Sequence, residues 1–175
     1  MMEQFVMLAG YNSWANRRIY AAAGALPEEA YRRNAGAFFG SLHGTLNHLL
    51  VADRIWMQRF TGTGAAPTQL DAILFDSLPE LTAAREVEDR RIEDFVSGLN
   101  DTALAGNFRY RTISKPQDIE QPLAPALTHF FNHQTHHRGQ AHCLLTQMAG
   151  NAPGLDLITF QRETGLGLAG TGAAT

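Results

Sequence analysis

Residues Pro122–Gly150 read PLAPALTHFFNHQTHHRGQAHCLLTQMAG, an uninterrupted stretch with Gly150 and then Pro153 at its end. Apolar and polar positions alternate at helical spacing through Leu127, Phe130, Gln134, His137, Ala141, Leu144 and Met148. A glycine followed by a proline is a common helix stop. The pattern therefore predicts one long helix with one face buried. Five of the seven histidines of the chain fall in it, at positions 129, 133, 136, 137 and 142.

Three further stretches upstream have the same period. The first runs from about Glu3 to Ala23, with Phe5, Leu8, Asn12, Ala15, Ile19 and Ala22 on one face. The second runs from Ser41 to about Phe60, with Leu42, Leu46, Leu49, Asp53, Trp56 and Phe60. Ser41 is placed to cap it. The third runs from Leu78 to Leu99, opened by Ser77 and Glu80, a capping box, with Pro79 in the tolerated first turn. Its apolar face is Leu81, Ala84, Ile92, Phe95 and Leu99, and Arg85, Glu86, Asp89, Arg90 and Glu93 read as a solvated face. Short helical segments are expected after Pro27 and over Leu157–Arg162. Alternation in FRYRTI (Phe108–Ile113), before a KPQD turn, predicts a small β-hairpin between helices three and four.

The fold class that follows is all-α, a four-helix bundle. The long linkers between the later helices predict a crossover connection, not simple up-down hairpins. Residues 1–163 form a single domain in this reading, and 164–175, rich in Gly, Ala and Thr, form a flexible tail.

Composition excludes several functions. The chain has 175 residues, 45% of them hydrophobic, and a net charge of −3, so no basic surface for nucleic acid is expected. No apolar run reaches the roughly 18 residues of a membrane span. The N-terminus lacks the basic and apolar regions of a secretory leader. A single cysteine, Cys143, suits a reducing cytoplasm and reads as a small buried side chain.

The informative positions are polar ones inside the apolar stripes. A buried polar group without a partner costs about 1–3 kcal/mol. Asn12, His48, Asp53, His133, Gln134 and His137 interrupt the stripes, and Asn12, His48, His133 and His137 lie near mid-helix, which points to one polar site inside the bundle. His133 and His137, four residues apart, share a helix face and can reach one ion. His48, from a facing helix, can supply a third imidazole. His129 or His136 could pair with His133 instead. The residue after His133 is Gln134, not the Glu that a zincin general base requires, so metalloprotease chemistry is not expected. Asp53 is placed either to accept from an imidazole N–H or to pair with a buried arginine. Asn12, Gln134 and Arg138 are candidates to orient a substrate.

Three stretches carry a family resemblance: YNSWAN (Tyr11–Asn16), SLHGTLNHLLVADRIWMQRF (Ser41–Phe60) and NHQTHHRGQ (Asn132–Gln140). Together they resemble the DinB family of damage-inducible four-helix metalloproteins. The resemblance implies a crossover bundle, commonly a homodimer, and a metal site falling on His48, His133 and His137. It implies nickel or zinc, with iron as another choice. Members of the wider superfamily include S-transferases and an isomerase that use a low-molecular-weight thiol, and others are regarded as hydrolases. The expectation is a divalent-metal enzyme that activates a thiol or water on a small-molecule substrate. The alternative is a non-catalytic stress-response module with a structural metal.

Overall fold

Local signals set the helix ends. Ser41 Oγ accepts from the Gly44 amide and Ser77 Oγ accepts from the Glu80 amide, so both proposed caps are formed. The computed structural model describes residues 1–168. In chain order it contains α1 (Met2–Gly24), α2 (Glu28–Arg32), α3 (Leu42–Thr61), α4 (Leu78–Ser97), α5 (Asp101–Ala105), β1 (Asn107–Arg111), β2 (Asp118–Pro122), α6 (Leu123–Ala149) and α7 (Leu157–Thr164). β1 and β2 form the expected antiparallel hairpin, with Arg109 opposite Glu120. Only the one-turn α5, capped by Asn100, has no counterpart in the sequence reading. The proposed tail boundary falls inside α7. A turn then joins the Leu168 amide to the Gly165 carbonyl, and residues 169–175 lie outside the described residues.

Four long helices make the bundle. α1 packs on α4 and α6, and α3 packs on α6 and α4, so α1 and α3 stand on a diagonal. Cross-helix contacts give the directions. Phe5 meets Phe131 and Asn12 meets Arg138, so α1 and α6 run parallel. Asp53 meets Arg85 and Thr61 meets Arg91, so α3 and α4 also run parallel. His48 meets His137 whereas Trp56 meets His129, so α3 and α6 are antiparallel. The order is up, down, down, up.

Parallel neighbours α3 and α4 need a connection that returns along the whole bundle, about 30 Å for 20 residues. Residues 62–77 make that crossover. Asn47 pins it to α3: its amide nitrogen donates to the Phe75 carbonyl, and its Oδ1 accepts from the Leu74 and Phe75 amides at 2.8 and 3.1 Å. The crossover thereby passes directly beside His48.

The core has two main apolar halves, besides a smaller cluster where Phe160 of α7 packs on Tyr11 and Trp14. Phe5, Met57, Ile92 and Phe130 belong to one, and Ile19, Leu46, Leu81 and Leu145 to the other. A buried polar layer separates them. Arg85 Nη1 contacts Asp53 Oδ2 at 2.5 Å, and Arg85 Nη2 lies 3.0 Å from Asp89 Oδ1. Asn12 and Asn16 donate to Asp89, Gln134 donates to Asp53, and Arg138 donates to Asn12. Arg85 and Asp89, expected in solvent, are 2% and 3% exposed. The buried face of α4 is Leu81, Arg85, Glu88, Asp89, Ile92 and Val96, and its charges are tolerated because acids and bases face each other across three helices.

Candidate metal centre

The three imidazoles come together at the α3–α6 interface. His48 Nε2 and His137 Nε2 are 3.2 Å apart, and His137 Nε2 and His133 Nε2 are 3.1 Å apart. One ligand atom from each of the three lies within 4.8 Å of the other two. The antiparallel pairing of α3 with α6 brings them together, and the i,i+4 spacing places His133 and His137 on one face.

Hydrogen bonds at the far side of the rings decide which nitrogen carries the proton. His48 Nδ1 is 2.7 Å from the Leu70 carbonyl, which can only accept, so Nδ1 is the protonated nitrogen. His137 Nδ1–H donates to Gln140 Oε1 at 2.8 Å. Both Nε2 atoms are then bare lone pairs. Two acceptors facing each other at 3.2 Å form no hydrogen bond and repel. A cation between them turns that repulsion into two bonds. Nitrogens on one tetrahedral ion, with metal–nitrogen bonds of about 2.0–2.1 Å, sit at about this separation. The residues present therefore fit a divalent ion. His133 Nδ1 is buried with no partner among the described residues, so that ring lacks the outer support of the other two.

Burial also keeps the rings neutral, the form a ligand needs. Burial chiefly, and then its neighbouring histidines, pushes His133 down to about 3. Burial chiefly pushes His48 down to about 4. Burial lowers His137 as well.

Phe39, from the loop before α3, stacks on His48 with ring centroids 3.8 Å apart and meets His137 edge-on at 5.5 Å. The sequence reading missed it, as it missed Leu70, because both are loop residues brought in by the chain's return paths. Gly44 carries the readable trace. A Cβ there would collide with the Phe39 carbonyl, so only glycine lets this loop lie on α3. Gly44→Ala is expected to cost about 1–3 kcal/mol by displacing it. Urea denaturation would measure this, and an unchanged midpoint would show that the loop can shift freely.

The remaining candidates sort as follows. His129 lies near His133, the rings tilted with centroids 5.8 Å apart, and lines the adjoining cavity, but is not in the three-nitrogen group. His136 packs on His137 and contacts Gln140 outside that group. His43 is bound to Tyr31. Asp53, Asn12, Gln134 and Arg138 belong to the buried polar layer, not to the histidine pocket. The single polar site expected from sequence is therefore two adjacent ones, because α3 and α6 present different faces to the groove and to the core. Cys143 is exposed, not buried. It lies on the outer face of α6, away from the buried Ala141, Leu144 and Leu145.

A cavity of about 220 Å³ opens beside His48 and His133. Its wall includes Ala52, Trp56, Arg59, Tyr110, Ser114 and His129.

A four-helix bundle with three convergent imidazoles and an adjoining cavity defines a class of candidate helical metalloproteins. Comparison with known proteins narrows it. The family model described as DinB family matches residues 1–168. Protein DinB of Bacillus subtilis (strain 168) is 31% identical over 146 residues, covering 78% of this chain and 81% of that protein. A crystal structure of a DinB-like protein from Bacillus cereus ATCC 10987 superposes with a TM-score of 0.58 at 21% identity, covering 80% of this chain and 89% of the other. The chain belongs to the DinB family. Among the described residues, no helix is long and apolar enough to cross a membrane.

Proposed function

We propose that the protein is a divalent-metal enzyme that acts on a small molecule held in the cavity beside His48 and His133. The facing lone pairs of His48 and His137, left bare by Nδ1–H bonds to Leu70 and Gln140, carry this reading. His48, His133 and His137 would hold the ion; an all-imidazole set suits a divalent first-row metal, and the family resemblance favours nickel or zinc, with iron as another choice. A bound divalent ion lowers the pKa of water or a thiol so that a nucleophile exists near neutral pH.

The chain's own residues supply the rest. Leu70 and Gln140 fix the ring orientations, which tightens a ligand set. Phe39 and Trp56 exclude water from two sides. His129, kept neutral by burial and by nearby Arg59, lines the same cavity and can accept a proton. The group of ligands has three members and adjoins a cavity, whereas a structural ion is usually enclosed by four protein ligands. This favours catalysis over a structural role. A thiol transferase, forming a C–S bond as a leaving group departs, is the first reading of the chemistry, and hydrolysis the second.

Untagged wild-type protein is expected to hold about one divalent ion per chain by elemental analysis, and His133→Ala less than a tenth of that. With a small thiol and an alkyl halide, wild type should consume free thiol and release halide, and His133→Ala should not. Equal, substoichiometric metal in both proteins would overturn the reading.

A further inference from the structure

Arg59 lies on the same face of α3 as His48. Eleven residues separate them, about three helical turns and only about 20° around the axis. Its guanidinium packs against two neighbouring rings, 4.6 Å from that of Trp56 and 4.6 Å from that of Tyr110, which are themselves 5.3 Å apart. Its one hydrogen bond among the described residues runs from Nη2 to the Arg111 carbonyl at 3.2 Å. It has no acidic partner there either. The nearby acids of the hairpin are committed, Glu120 to Arg109 and Asp118 to Arg111. Burial pulls its pKa below that of an ordinary arginine. Its remaining donors face the two open spaces it lines, where an anion can reach them.

Arg59 also stands where two spaces join. It lines the cavity beside His48 and His133, and an outer cleft of about 570 Å³ between the end of α3, Ala66–Thr68 of the crossover and β1. Ile55, Tyr110 and Ile113 are likewise shared by both. A molecule entering from the cleft must pass this cation to reach the histidines. Eleven residues of rise put the two backbone positions about 16 Å apart along α3, with Arg59 at the outer end of the pocket and His48 at the inner end.

We propose that Arg59 is the specificity-determining residue of this pocket, and that it selects a small anionic substrate or cosubstrate bearing a carboxylate at the end remote from its reacting atom. The proposal rests on the metal reading for the inner end of the pocket, and on Arg59 alone for the outer end. Packing against Trp56 and Tyr110 holds the fork in place, which prepares it for bidentate contact with a planar anion. Both ends of the pocket are then positive, so a neutral or cationic molecule of the same length is disfavoured.

The test is calorimetric titration with mercaptohexanoate and with its neutral amide, which match in shape and sulfur chemistry. Metal-loaded wild type should bind the acid at least tenfold more tightly than the amide. Arg59→Met, which keeps the apolar stem, should bring that ratio close to one, and Arg59→Lys should leave it intermediate. Metal-free wild type should keep the acid preference while binding both compounds more weakly. A ratio near one in wild type, a ratio retained in Arg59→Met, or no binding of either compound would overturn the proposal. If wild type takes up no metal, the catalytic reading fails by itself, and the acid-to-amide ratio of the metal-free protein still decides for or against Arg59.

Discussion

Replacing Asp53 with alanine is expected to remove about 3–5 kcal/mol of stability, the usual effect of stripping one partner from a buried ion pair. Arg85 is the reason. It is 2% exposed, Asp53 is fully buried, and their closest atoms are 2.5 Å apart. Without Asp53, Arg85 keeps only Asp89, which already serves Asn12 and Asn16. Gln134 loses its carboxylate acceptor in the same stroke. For a chain whose total stability is about 5–15 kcal/mol, this is a large fraction. The melting temperature should drop by roughly 6–20 °C for a domain of this size. Asp53→Asn keeps an acceptor oxygen and should fall between wild type and Asp53→Ala. Adding Arg85→Met to Asp53→Ala should restore part of the loss, since the stranded cation goes, but not all, because Asp89 is then left with amide donors only. Non-additivity of that kind identifies coupled residues. A melt of Asp53→Ala within 2 °C of wild type would show that Asp89 alone suffices for Arg85.

The polar layer and the histidine pocket differ in how far they could be read from sequence. The helices were legible because period, caps and the Gly150–Pro153 stop agree at every level. His133 and His137 were legible because a helix fixes their geometry locally, and His48 because the interrupted stripe of a second helix demanded a partner. For Asp53 the sequence leaves two roles open, acceptor for an imidazole N–H or half of a buried pair; the structure gives the pair with Arg85, an arginine the sequence does not point to. Arg85 and Asp89 lie on a helix whose charges look solvated, and their partners stand 32 and more than 70 residues away in sequence. The readable sign was the spacing Leu81, Arg85, Glu88, Ile92, Val96, which is a core stripe if charge is set aside. Phe39, Leu70 and Arg59 show a different limit. Each acquires its role from the path of a loop or from the hairpin docking on α3, and no local pattern encodes such a path. Gly44 is the exception, since the demand for a missing side chain is written at one position.

Metal should also stabilise this protein strongly and in a way that separates the ligands from ordinary buried histidines. A ligand that binds only the folded chain raises stability by RT ln(1 + [L]/Kd), about 4.1 kcal/mol at a thousandfold excess over Kd. Zinc or nickel should then raise the melting temperature by roughly 8–16 °C. In His48→Ala or His137→Ala the rise should vanish. The same substitutions in metal-free protein should cost much less, because they remove one of two lone pairs that face each other at 3.2 Å. Acid supplies a second check. The sequence alone predicts loss of metal below about pH 6.5, the ordinary histidine value. Burial puts His48 at about 4 and His133 at about 3 in the folded chain. Between about pH 6.5 and 4 the unfolded chain therefore takes up protons that the folded chain refuses, so stability falls as pH falls through that window. That fall affects metal-loaded and metal-free protein alike. The difference between their melting temperatures should persist at pH 5.5 and collapse only near pH 4, where protons begin to compete for the folded site itself. Paired melts across that range, with and without a chelator, would measure it. A metal-induced rise already gone at pH 5.5 would mean that these rings titrate as exposed histidines do, and that the enclosure by Phe39, Trp56 and the crossover does not shield them.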